Sequence, residues 1–93
     1  MAKDYEKIRE LLEEQETFPI DFMVKFIGRN SAKFRAGCQA FEARFPALRP
    51  QSSRESSGGN HLAQTYILAA NGADEVIEVL KATALIDDVL IVL

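Results

Sequence analysis

Phe22, Val24 and Phe26 alternate with Met23, Lys25 and Ile27, so one face of this stretch is wholly apolar and the other carries a charge. A period of two with aromatic and β-branched content predicts a strand with one face on a core and the other partly wet. Gly28 is expected to permit a sharp exit into a following helix. Upstream, Tyr5, Ile8, Leu11 and Leu12 make an apolar stripe on an otherwise acidic segment, which predicts an amphipathic helix over residues 4–16. Glu10 and Glu14 are like charges at i,i+4 and weaken it slightly. So short a helix must dock on something or fray. Phe18-Pro19 ends it, because the residue before proline avoids the helical region.

Downstream of Gly28, Asn30 or Ser31 can cap a helix that runs to about Phe45. Phe34, Cys38, Phe41 and Phe45 fall in a narrow arc of it, with Ala32, Ala36, Ala40 and Ala43 on the far side. Pro46 stops it. Pro50 to Glu55 predicts a short polar edge strand, where a proline is tolerated, and Gly58-Gly59-Asn60 supplies a turn. His61 to Ala70 predicts a third strand with Leu62, Tyr66 and Leu68 on one face, interrupted by Gln64. Asn71 or Gly72 opens another helix, buried through Ala73, Val76, Ile77 and Leu80, with Asp74 and Glu75 in its first turn. Residues 87–93 read as a last strand.

The predicted order is an acidic helical leader (1–17) followed by one β-α-β-β-α-β domain (18–93). Right-handed crossovers make a ferredoxin-like α+β sandwich the economical solution. It has a four-stranded antiparallel sheet, two helices on one face, and the first and third strands at the centre. The expected core is Phe22, Val24, Phe26, Phe34, Phe41, Phe45, Val76 and Leu80.

Composition narrows the function classes. The 93 residues allow one modest core. No apolar run approaches the ~20 residues of a membrane span, and Met1 to Glu6 lack the apolar centre of a secretion signal. Cys38 is the single cysteine and His61 the single histidine, so neither a disulfide, a multi-thiolate site nor a His-pair metal site is available. The expectation is a cytoplasmic protein without cofactor or metal. The net charge of −3 is uneven: residues 1–17 carry −3, residues 25–54 carry +6 and residues 55–93 carry −5. That asymmetry can steer an anionic partner, though two oppositely charged solvated faces are the plainer reading.

Phe18-Pro19, Phe22 with Lys25-Phe26-Ile27-Gly28, Ser56-Ser57-Gly58-Gly59-Asn60, Glu75-Val76 and Val89-Leu90-Ile91-Val92-Leu93 occur in an order and spacing that resembles the YbeD-like family of small bacterial proteins. The resemblance covers about residues 18–93. It departs from the family pattern at His61, commonly a tyrosine, and at Gln64, usually apolar. The family is similar in fold to the ACT regulatory domains of amino-acid-metabolising enzymes. The resemblance therefore implies a regulatory or binding role and no known catalysis.

Three candidate sites follow. Gly28-Arg29-Asn30-Ser31 joins a strand to a helix N-terminus, where amide donors and the dipole favour an anion; a glycine turn with an ordinary cap is the plainer reading. Phe34-Arg35 is similar to the Phe-Arg pair of acylphosphatases, which would make Arg35 a phosphate-holding residue of a hydrolase. The Val-Gln-Gly-Val of that family is absent, so the amide cradle is incomplete. Met23, Ile27 and Ile67 are apolar on a face that no predicted helix covers, the mark of an interface. Either the leader or a second copy, a homodimer, is expected to cover it. The outward positions carry no exposed aromatic for base stacking, which disfavours nucleic acid. The expected partner is an unidentified protein or a small anion. Cys38 reads as a small buried hydrophobe.

Overall fold

A computed structural model describes residues 4–93; residues 1–3 of the predicted leader lie outside the described residues. The elements are α1 (Tyr5–Gln15), β1 (Ile20–Arg29), α2 (Ala32–Arg44), β2 (Leu48–Glu55), β3 (His61–Ala70), α3 (Ala73–Thr83) and β4 (Val89–Val92). Asp4 caps α1 by accepting from the Lys7 amide, and Ser31 caps α2 by accepting from the Phe34 amide at 3.1 Å.

The chain is an α+β protein with one four-stranded antiparallel sheet, ordered β2-β3-β1-β4, and three helices. β1 and β3 pair along their whole length, from Ile20 opposite Ala70 to Arg29 opposite His61. This register places Phe22, Val24, Phe26 and Gly28 on the same face as Leu62, Gln64, Tyr66, Leu68 and Ala70. Phe26 is the hub of the core. Its ring centroid lies 6.0 Å from Phe34, 5.6 Å from Phe41 and 5.8 Å from Tyr66. Val76, Val79 and Leu80 of α3 close the same cluster.

Several expectations change. β1 begins at Ile20 and runs through Gly28 to Arg29, so Gly28 is no exit turn. A Cβ there would stand 2.2 Å from the Phe34 ring and 2.8 Å from the Asp88 carbonyl oxygen; the glycine is needed for close approach. β2 starts at Leu48 and absorbs Pro50 beside a bulge between Pro50 and Ser52, as an edge strand can. β4 is only Val89–Val92, because Asp88 at φ 66 belongs to the preceding turn. Phe22 and Phe45 are half-buried at the rim of the core, where the Arg44 guanidinium stacks over Phe45 at 4.9 Å.

The leader does not fold over the open sheet face. Tyr5, Ile8 and Leu12 pack toward the core at α3, Arg9 pairs with Asp74, and the Lys81 ammonium lies over the Tyr5 ring. α1 thus lies along the Asp74–Lys81 side of α3, while Val79 and Ala82, buried along with the predicted stripe, line its α2 side. Leu11 stays half-exposed.

Candidate functional site

Of the predicted loop Gly28–Ser31, Gly28 and Arg29 end β1 and only Asn30 and Ser31 link it to α2; this junction is tied to the β2–β3 turn and to Asp88. The Arg29 amide donates to the Asp88 carbonyl at 3.0 Å, the Asn30 amide to the Asn60 carbonyl at 2.9 Å, and the Ser31 amide to the Arg29 carbonyl at 2.8 Å. The Asn30 side-chain amide donates to the Gly59 carbonyl at 3.0 Å and to Glu55 at 3.3 Å. Gly59 sits at φ 75, which lets its carbonyl turn inward. The Ser31 hydroxyl donates to the Asp88 carboxylate at 2.6 Å while accepting from the Phe34 amide. Asp88 thus places an intramolecular carboxylate at the N-terminus of α2, where a dipole favours negative charge.

All four predicted loop residues meet here, and the amides of Arg29, Asn30 and Ser31 are already engaged. Arg35 donates to the Asn30 side-chain oxygen at 2.7 Å and lies exposed. Its guanidinium braces the loop. Asp88, Glu55, Gly59 and Asn60 are the members that sequence reasoning missed. Aspartate tolerates positive φ better than most residues, but nothing local shows that residue 88 returns to residue 31.

A second polar group lies in the core between α2 and β3. The Tyr66 hydroxyl donates to Glu42 at 2.7 Å and accepts from the Gln64 side-chain nitrogen at 3.2 Å. Burial, reinforced by Glu42, pushes the Tyr66 phenol up. Burial, then the Glu42 charge, pushes the Cys38 thiol up to about 11, with a Gln64 hydrogen bond pulling partly back. A thiol held neutral is a packing group and a poor nucleophile. Gln64 Oε1 is buried and has no hydrogen-bond partner among the described residues.

The open sheet face is the third candidate. Register puts Met23 opposite Ile67, Lys25 opposite Thr65 and Ile27 opposite Ala63, with Ile91 of β4 beside Ile27. Met23 is 60% exposed and Ile91 49%; Ile27 and Ile67 are half-buried. Arg29, Arg49 and Arg54 project from the same face. Its one acid, Asp21, is paired with Arg49 at 3.2 Å. All three residues predicted for an interface therefore stand on one surface, and α1 does not cover it.

A groove of about 460 Å³ lies between α2 and residues 82–87, floored by Gly37, Ala40, Leu85 and Ile86. It is an aliphatic depression. No group of three or more metal-ligating side chains converges among the described residues. No described helix is long and apolar enough to cross a membrane.

A family model described as "Protein of unknown function (DUF493)" matches residues 13–93. The chain belongs to that family. It is the YbeD-like family to which the residue pattern points. The match begins inside α1, so Tyr5, Ile8 and the Arg9–Asp74 contact lie outside it. No curated protein and no solved structure matches the chain.

Proposed function

We propose that the chain is a non-catalytic regulatory or interaction module of ACT-like, ferredoxin-like architecture, working through its open sheet face. The observation that carries this reading is the exposure of Met23 and Ile91 beside Ile27 and Ile67 on a sheet whose other face packs the helices. Large aliphatic side chains clustered on a surface mark a place for a partner. The ferredoxin-like reading is supported by the β-α-β-β-α-β order after α1 and by β1 and β3 as the central strands. A cytoplasmic setting belongs to the same reading and fits the single buried thiol. A small anion remains a candidate ligand at Arg29, whose side chain makes no ion pair among the described residues.

The competing reading, a hydrolase using Arg35, is separated by one assay. Acyl phosphate hydrolysis is measured with the wild type and with Arg35→Ala. The expected result is no turnover above background in either. Turnover in the wild type that disappears in Arg35→Ala would replace the module by an enzyme.

A further inference from the structure

The open face combines two properties whose conjunction restricts its occupant. Met23, Ile27 and Ile67 stand on its two central strands, with Ile91 beside Ile27 on the edge strand β4. Lys25 lies between Met23 and Ile27 on β1, and Arg29, Arg49 and Arg54 stand around them against the single acid Asp21, a local charge of +3 on a chain whose total is −3. Two copies placed face to face would oppose these cations, and like-charge juxtaposition disfavours that pairing. His61 is the only ring among the outward residues of β1 and β3, so there is no platform for stacking bases.

Size points the same way. β1 and β3 are ten residues each, about 33 Å at ~3.3 Å per residue. Four strands ~4.8 Å apart place their outer axes about 15 Å from each other. The face is long and narrow, since the edge strands β2 and β4 have only 8 and 4 residues. It matches one helix, about 10–12 Å across and about 20 residues long.

We infer that the open sheet face docks an acidic amphipathic helix of a protein partner, its aliphatic side seated on Met23, Ile27 and Ile67 and its carboxylates on Lys25, Arg29 and Arg54. This deepens the interaction-module reading and rests on it. The apolar stripe supplies the contact area and the flanking cations select the sign of the partner.

The test is a titration of the intact, isotope-labelled chain followed by amide chemical shifts. The probe is a synthetic helical peptide of about 20 residues, leucine on one side and glutamate on the other. Its counterpart carries lysine in place of every glutamate. The glutamate peptide is expected to shift amides of β1 and β3, and the lysine peptide to leave them unmoved. Arg29→Glu with Arg54→Glu, and separately Met23→Asp, are each expected to weaken binding by about tenfold or more, with salt acting in the same direction. All of these positions are exposed, and an unchanged melting temperature confirms folding. Absence of open-face shifts, or equal response to both peptides, overturns the inference. So does a DNA duplex that binds this face more tightly and ignores Met23→Asp, or a sedimenting dimer that Met23→Asp dissociates. A failed titration leaves the non-catalytic reading standing, since that falls only to acyl phosphate turnover dependent on Arg35.

Discussion

At Gly28 the Phe34 ring and the Asp88 carbonyl both occupy the space a side chain would need. Gly28→Ala therefore has to displace a fully buried ring on one side and backbone on the other. Overpacking of this kind costs about 1–3 kcal/mol, and we expect the upper end, read as a fall in the urea midpoint. An unchanged midpoint would mean that Phe34 has another place to go. Cys38 makes a second residue-scale prediction. Its thiol is held at about 11 against an ordinary 9.0, so the folded chain keeps this proton more tightly than the unfolded one. The associated stability is complete below pH 9.0 and is lost as pH rises toward about 11. Tyr66, also shifted upward, adds to the same alkaline loss. The melting temperature is expected to fall across this window, and Cys38→Ala to flatten its lower part. A melting temperature that stays level in the wild type would contradict the burial argument.

Among the elements, α1 shows how a marginal helix is held. Its Tyr5, Ile8 and Leu12 are half-buried at α3, and its acidic side faces away. Deleting residues 1–16 removes those contacts but leaves Val24, Phe26, Phe34, Phe41, Val76 and Leu80 in place. The truncated chain is expected to fold with roughly 2–4 kcal/mol less stability, taking about half of full burial for three side chains. Circular dichroism with urea unfolding measures it. A truncated chain that fails to fold would make α1 an integral part of the core. The Arg9–Asp74 pair is exposed on the aspartate side and contributes little by itself.

For the molecule as a whole, the two faces of one sheet carry separable tasks. Phe26 and Met23 lie three residues apart on β1 and point to opposite sides. Phe26 touches Phe34, Phe41 and Tyr66, so Phe26→Ala is expected to cost about 3–5 kcal/mol. Met23→Ser is expected to stay within about 0.5 kcal/mol, as substitutions of exposed residues usually do. Parallel unfolding curves of the two variants test this division. A large loss at Met23 would show that the open face contributes to folding.

The alternation Phe22–Ile27, the arc of Phe34, Cys38 and Phe41 and a cap at Asn30 or Ser31 determined strand, helix and helix start to within a residue without reference to anything distant, because each is a local periodicity or a local hydrogen bond; the structure chose Ser31. The same alternation marked Met23, Ile27 and Ile67 as one outward set, since a pleated strand sends every second side chain to the same side. What lies across the fold was decided by tertiary structure alone. Residue 88 meets residues 29 and 31 only once β4 pairs with β1, and that pairing turns a loop with open amides into one braced by its own carboxylate. Gly28 serves a ring six residues away and a carbonyl on another turn, neither visible in its neighbours. The leader's stripe announced that it would be buried, but only the tertiary structure decided where: Tyr5, Ile8 and Leu12 bury themselves at α3, whose apolar surface lies elsewhere in the sequence.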